Sequence, residues 1–372
     1  MKADQFINII GSDFFTGVPD SQLKPLCNFL IDKYGIDEKH HLIAANEGNA
    51  TALAAGYYLA TSKIPVVYMQ NSGEGNIINP VASLLNDEIY GIPCIFIIGW
   101  RGEPSIHDEP QHIFQGEVTC KLLEVMDIKY HVIDRLTDAD EIKATMDYFK
   151  NLLNRGKQVA FVVRKGALEY DKTVIYSNEN NMLREEIIAH IVAVSKNDPI
   201  ISTTGKISRE LFEIREKLGQ NHSHDFLTVG SMGHSSSIAL GISSQIPEKK
   251  VWIIDGDGAA LMHMGSMAVI GASSPNNLVH IVINNSAHES VGGMPTVAGK
   301  INFVSIAKGC GYKNAVCVST YDELDDILAK AKYQNELSFI EVKSALGSRD
   351  NLGRPTTTPK DNKVVFMQTL QS

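Results

Sequence analysis

The residue types best suited to chemistry gather in a few short stretches. Val251–Ile254, a buried-strand pattern, runs into Asp255-Gly256-Asp257-Gly258; a helical segment follows, then a second strand pattern, Val279–Ile283, that ends at Asn284-Asn285. In a doubly wound sheet, ligands bind beyond the carboxyl ends of the strands, where both motifs are expected to lie. Gly256 and Gly258 would let the backbone approach a phosphate, and the helix after Gly258 would aim its first amides at it. Asp257 offers a carboxylate and Asn285 an amide oxygen, hard donors suited to a Mg²⁺ ion that also takes phosphate oxygens. Asp-Gly-Asp-Gly by itself reads equally well as a glycine-rich turn. In the first half, Glu47 stands just before an apolar helical run, TALAAGYYLA. By itself it is a helix-start carboxylate favoured by the macrodipole.

These groups must be held by regular elements, and the sequence supplies them. Val66–Met69, Ile95–Ile98, Val159–Val163, Ile200–Ser202, Val251–Ile254, Val279–Ile283 and Phe339–Val342 read as buried parallel strands. Helical period falls between them, at 49–60, 140–153, 184–194, 235–244 and 321–331. Alternation of this kind predicts an α/β fold with two doubly wound parallel-sheet domains. The polar run LEYDKTVIYSNENN interrupts it, so the expected organisation is a domain at 1–167, a linker at 168–182 and a domain at 183–372. No sequence repeat links the two halves.

Composition narrows the function. The chain has 372 residues, 44% apolar and 21% charged, which excludes a mainly disordered protein. Its net charge of −9 argues against a general nucleic-acid binder. Five cysteines without a CxxC pair suit neither a zinc site nor a disulfide framework, so reduced thiols in a cytoplasmic protein are expected. The opening MKADQFINIIGSDFF carries an early Asp and no long apolar core, and the apolar run near Ile92–Trp100 is too short to span a bilayer. Neither a signal peptide nor a membrane partner is expected. A nicotinamide-binding reading lacks a GxGxxG at a strand–helix turn.

The order strand, GDG, helix, strand, NN resembles the signature of thiamine-diphosphate enzymes. The resemblance implies that Asp257, Asn285 and the backbone carbonyl of Ala287 hold Mg²⁺ on the cofactor's diphosphate. Asn285 rather than Asn284 is matched because it is the second Asn of the pair. Gly256, Gly258 and Ala259 belong to the same cradle, and Thr204-Gly205-Lys206 matches a diphosphate-contacting loop. Gly230-Ser231-Met232-Gly233-His234 resembles the segment that receives the aminopyrimidine. Gly230 would accept from the 4′-amino group, and Met232 would wedge the two rings apart. An isolated Met would instead be ordinary core. NEGNATALAAGY resembles the segment with the activating glutamate, making Glu47 the partner of pyrimidine N1′. Asn71-Ser72-Gly73-Glu74-Gly75-Asn76, after the strand Val66–Met69, matches the loop that reaches the cofactor from this half. The halves therefore resemble pyrimidine-binding and diphosphate-binding domains. The cofactor is expected to lie between subunits of a homodimer or higher homo-oligomer.

Over nearly the whole chain the nearest resemblance is to the phosphonopyruvate decarboxylases, and less closely to sulfopyruvate decarboxylases. It rests on Thr16-Gly17-Val18-Pro19-Asp20-Ser21, Trp100-Arg101-Gly102-Glu103-Pro104, His107 to His112, and Gly353-Arg354-Pro355-Thr356-Thr357. It implies decarboxylation of 3-phosphonopyruvate to phosphonoacetaldehyde in phosphonate biosynthesis, with Asp20 a candidate for proton transfer. Arg101, Arg349 and Arg354 could pair with carboxylate or phosphonate; each also reads as a solvated surface group. His107 and His112 divide between acid/base or anion roles and simple loop hydrogen bonding. Sulfopyruvate decarboxylation and a non-catalytic protein of the same fold are the competing expectations. Retention of Glu47 with Asp257 and Asn285 argues against the second.

Overall fold

The computed structural model describes residues 1–372, the side chain of Ser290 excepted. Two units divide it: Met1–Tyr176 with Val291–Met294, and Ser177–Ser290 with Pro295–Ser372. The division between Tyr176 and Ser177 falls inside the polar 168–182 segment.

Among the described residues, the first unit is built on six parallel strands: β1 (Phe15–Gly17), β2 (His41–Ile43), β3 (Val66–Gln70), β4 (Cys94–Gly99), β5 (Lys129–Ile133) and β6 (Gln158–Val163). Their order in the sheet is β2-β1-β3-β4-β6-β5. Helices α1 (Ala3–Ile10), α2 (Lys24–Tyr34), α3 (Glu47–Thr61), α4 (Glu74–Pro80), α5 (Pro110–Val125) and α6 (Ala139–Leu153) flank it. Side chains alternate between the sheet's two faces. Val66 and Tyr68 of β3 join one core with Phe6, Phe15 and Phe161; Val67 and Met69 join the other with Phe96 and Ile98. Both faces of β4 and β6 are buried, which is why these runs are continuously apolar. Each fully buried Val, Leu or Ile contributes roughly 1.5–3 kcal/mol.

The second unit repeats the plan. Its strands are β7 (Ile200–Ser202), β8 (Asp225–Leu227), β9 (Val251–Gly256), β10 (Leu278–Asn284), β13 (Asn314–Val318) and β14 (Ser338–Lys343), and two dipeptide strands, β11 (Ala287–His288) and β12 (Met294–Pro295), stand apart from that sheet. The sheet order, β8-β7-β9-β10-β14-β13, is that of the first sheet taken strand for strand. The helices are α7 (Arg184–Ser195), α8 (Lys206–Lys217), α9 (Ser235–Ser243), α10 (Asp257–Met262), α11 (Gly265–Ser273), α12 (Phe303–Cys310), α13 (Tyr321–Tyr333) and α14 (Pro359–Gln371). Trp252 and Ile254 of β9 face one core, Val251 and Ile253 the other. Thr320 and Glu323 close a capping box that starts α13.

The polar 168–182 segment is tied down rather than free. Tyr170 Oη donates to Asp32 at 2.5 Å, within the first unit. In the second, Asn178 Nδ2 donates to the carbonyls of Asn285 and Ser344, each at 3.0 Å. Among the described residues, no helix is long and apolar enough to cross a membrane.

Candidate active site

In the first unit the candidate residues follow the carboxyl ends of four neighbouring strands. Asp20 follows β1, Glu47 follows β2, Asn71 follows β3 and Arg101 follows β4. This is the edge where a doubly wound sheet opens to ligands. Glu47 is the first residue of α3, whose start is capped by Asn46 Oδ1 accepting from Asn49 N–H at 2.8 Å. Its carboxyl is buried, 4% exposed, and Oε2 accepts from Asn76 Nδ2 at 2.7 Å. Burial raises its pKa, and the Asn76 bond works against that rise. Gly73 lies directly on the carboxyl: a Cβ there would sit 2.5 Å from it.

The 71–76 stretch, expected as a loop, is a 3₁₀ turn (Asn71–Gly73) that runs into α4. Asn71 is buried and spent on the backbone beside it. Its Nδ2 donates to Arg101 O at 2.8 Å and to Thr119 Oγ1 at 2.9 Å, and its Oδ1 accepts from Arg101 N–H at 3.1 Å. Ser72 Oγ donates to Gln70 Oε1 at 2.9 Å, and Gln70 Nε2 donates to Asp20 Oδ1 at 2.6 Å. Asp20 is fully buried, and burial raises its pKa. The turn therefore joins Glu47 on one side to Asp20 and Arg101 on the other.

Arg101 is held by Asp108, through Nε at 2.8 Å and Nη2 at 2.5 Å, and its Nη1 donates to Ser21 Oγ at 3.2 Å. Much of its charge is thus balanced within the loop. His107 is exposed. His112, expected in a loop, is buried on α5, and its carbonyl packs so closely on Gly102 that a Cβ there would lie 1.8 Å away.

In the second unit the same edge carries the other candidates. Gly256 ends β9 and Asp257 begins α10, a six-residue helix, so the helix starts at Asp257 rather than after Gly258. Asp257 is 3% exposed; its Oδ2 accepts from Thr296 Oγ1 at 2.5 Å, and burial pushes its pKa up to about 6. Gly258 sits between Met232 and His288: a Cβ there would meet His288 Nδ1 at 3.1 Å and Met232 Cε at 3.2 Å. Ala259 and Ala287 are buried, Gly230 half-buried and Ser231 exposed at φ 51°.

The two asparagines part company at the end of β10. Asn284 lies within the strand, fully buried, with Nδ2 donating to Glu341 Oε1 at 2.7 Å and Oδ1 accepting from Ser286 N–H at 2.9 Å. Asn285 lies past the strand; its Oδ1 accepts from Ala287 N–H at 3.0 Å and its Nδ2 donates to Glu289 Oε2 at 2.8 Å. Thr204 and Gly205 precede α8, with Gly205 at φ 92° and open space where its Cβ would be. Arg349 lies elsewhere. Its Nε donates to Glu185 Oε2 at 2.6 Å and its Nη2 to Glu213, so it clamps the C-terminal segment onto α7 and α8. Arg354 is exposed on that same segment.

Residues 5–124 match the family model for the thiamine pyrophosphate enzyme N-terminal TPP binding domain, and residues 203–342 the C-terminal TPP binding domain. The chain is also 32% identical over 373 residues to phosphonopyruvate decarboxylase of Streptomyces viridochromogenes, a match covering 95% of this chain and 90% of the relative. The chain belongs to the phosphonopyruvate decarboxylase family of thiamine pyrophosphate enzymes. A second relative of that description, from Streptomyces hygroscopicus, is 31% identical, covering 95% of this chain and 89% of its own length. Sulfopyruvate decarboxylase of Methanosarcina acetivorans is 26% identical, covering 99% and 97%.

As a member of the phosphonopyruvate decarboxylase family the chain is a thiamine-diphosphate-dependent decarboxylase, and its residues can be tested against that cofactor. Among the described residues, Thr203 Oγ1 is buried with no hydrogen-bond partner, beside Gly205 and the start of α8. An unfilled donor, a missing Cβ and a helix N-terminus together fit a diphosphate. No group of three or more His, Cys, Asp or Glu gathers among the described residues. The expected ligands Asp257, Asn285 and the Ala287 carbonyl would offer oxygen alone, which fits Mg²⁺ rather than a soft metal. Several groups escaped sequence reasoning. Thr296 is 39 residues from Asp257, and Asn178 lies in the supposed linker. Glu289, four residues after Asn285, was within reach of its spacing. Asn76 belongs to the expected 71–76 loop, but its bond to Glu47, 29 residues away, was not legible.

Proposed function

We propose that this enzyme decarboxylates 3-phosphonopyruvate to phosphonoacetaldehyde and CO₂ in phosphonate biosynthesis, in the cytoplasm, with Mg²⁺ joining thiamine diphosphate to the second unit. The observation that carries the reading is the match to phosphonopyruvate decarboxylase over 95% of the chain. Bound thiamine diphosphate supplies the electron sink into which the substrate's carboxylate electrons pass as CO₂ leaves. The remaining tasks fall to side chains. Glu47 would hydrogen-bond the pyrimidine end, and its burial would strengthen that bond. Asp257, Asn285 and the Ala287 carbonyl would hold the metal, while Gly205, Gly256, Gly258 and the Thr203 hydroxyl would receive the diphosphate. Met232, packed on Gly258, would support the cofactor's rings. Asp20, buried on the ledge shared with Arg101 and bonded to Gln70, is the group placed to pass a proton; burial raises its pKa and those two neighbours oppose the rise.

The full match to sulfopyruvate decarboxylase of Methanosarcina acetivorans supports a second reading, with a sulfonate in the phosphonate's place. A phosphonate carries up to two negative charges near neutral pH and a sulfonate one. Incubation with thiamine diphosphate, Mg²⁺ and a panel of 2-oxo acids separates the readings. Phosphonoacetaldehyde should be the major product from an equal mixture; faster turnover of sulfopyruvate at every pH overturns the assignment.

We further propose a homodimer or larger assembly in which each cofactor is held by two copies. The support is that α3, which begins at Glu47, exposes Ala52, Leu53, Gly56, Leu59 and Ala60 along one apolar side.

A further inference from the structure

Within the second unit, one carboxylate links the groups around Asn285. Glu289 Oε2 accepts from Asn285 Nδ2 at 2.8 Å and from Arg184 Nη1 at 2.6 Å, and Oε1 accepts from Lys206 Nζ at 2.8 Å. Arg184 is itself fixed: its Nε and Nη2 donate to Glu210 at 2.7 Å each, and its side chain is only 6% exposed. Glu289 is therefore a carboxylate clamped by two cations, with one lone-pair direction left for the Asn285 amide.

An amide has an oxygen end and a nitrogen end, and only the oxygen can bind a cation. Two contacts decide which way Asn285 points. The Ala287 N–H requires an acceptor and finds Oδ1; the Glu289 carboxylate requires a donor and finds Nδ2. Turning the amide over would set N–H against N–H and oxygen against carboxylate. We propose that Glu289 is a positioning residue. It locks the Asn285 amide so that its oxygen is offered away from Glu289, and through Lys206 it couples that amide to the Thr204-Gly205 turn. This rests on the reading of Asn285 as a metal ligand.

The test reads Mn²⁺ binding by electron paramagnetic resonance in the presence of thiamine diphosphate, with no assay of turnover. Glu289→Gln should weaken Mn²⁺ binding on the order of 10- to 100-fold, the usual effect of losing a metal ligand's outer partner. Asn285→Asp has no wrong end. Its carboxylate is repelled by Glu289 but accepts readily from the amide N–H that Glu289→Gln introduces. In that background Glu289→Gln should therefore tighten Mn²⁺ binding, reversing the sign seen in the native chain. Weakening of equal size in both backgrounds, or no change in the native one, overturns the positioning role. Unchanged Mn²⁺ binding in Asn285→Ala removes the metal reading itself, and the role with it. Should Glu289→Gln fail to fold, Glu289→Asp keeps the charge for Arg184 and Lys206 but withdraws it from Asn285. It should weaken binding in the native chain alone.

Discussion

Three buried carboxyls in this molecule are held by different neighbours, and those neighbours set what each can do. Glu47 has an amide donor, Asp257 a hydroxyl donor, and Glu74, directly after Gly73, has Gln115 Nε2 at 3.1 Å on one oxygen. Among the described residues, the other oxygen of Glu74 has no partner, and burial pushes its pKa up to about 8 from an ordinary 4.5. Glu74 is thus a neutral acid at pH 7. Folded chains keep this proton while unfolded chains release it, so the associated stability is complete below about pH 4.5 and is lost as pH rises to about 8. Calorimetry from pH 5 to 8 should show the melting temperature falling, with a shallower fall in Glu74→Gln. An unchanged slope in the variant means that Glu74 is ionised in the fold. Nothing in the run NSGEGN announces this behaviour, because the desolvation comes from burial in the fold rather than from neighbours in sequence, and the Gln115 bond that opposes it comes from 41 positions away. Asn285 was matched over Asn284 only as the second Asn of the pair. What sets the two apart was not legible: Glu341, 57 positions away from Asn284, takes up that side chain.

At the scale of elements, short turns that follow strands carry the site, and they tolerate little. Gly73 is the clearest case, because a methyl group there would lie 2.5 Å from the Glu47 carboxyl. One of the two must move. Gly73→Ala should lower turnover by on the order of 10²-fold, the size of loss expected when a reacting group is displaced by about 1 Å. Steady-state kinetics beside thiamine diphosphate titration would measure it; native turnover would show that Glu47 can shift without consequence. Long, apolar elements such as β4, β6, β9 and β10 were readable from their β-branched runs. Of the three-residue strands, β7 was read from its Ile-Ile pair, while β1, β2 and β8, without a β-branched pair, hold too little pattern to distinguish a strand from a loop. Edge strands β5 and β13 mix polar and apolar residues because one flank faces less protein. The 3₁₀ turn and α4 also escaped, as Asn, Gly and Pro suggest a loop while burial and backbone bonding make a helix.

At the scale of the whole molecule, two sheets of identical strand order stand in one chain without a shared sequence pattern. Their common feature is position: each site residue follows a strand's carboxyl end. The proposed assembly makes a sharp prediction about how the two units cooperate. Glu47→Gln chains and Asp257→Ala chains should each be inactive, the first with cofactor bound and the second with metal-dependent binding lost. When the two are unfolded, mixed and refolded, activity should return to about a quarter of native, because half the dimers are mixed and each has one intact shared site. Inactive mixtures despite demonstrated subunit exchange would mean that each site is made by a single chain.

Local chemistry carried much of the inference. Hydrophobic period marked the main strands and helices, and GDG and NN stand where it ends, at the carboxyl ends of β9 and β10, because each depends on residues near one another in the chain. Tertiary structure alone decided which charges remain available. Arg101 is balanced by Asp108 and Arg349 by Glu185 and Glu213, while Glu289 gathers Arg184, Lys206 and Asn285. A side chain's charge is written in the sequence, but its pairing and desolvation are set by whatever the fold packs against it.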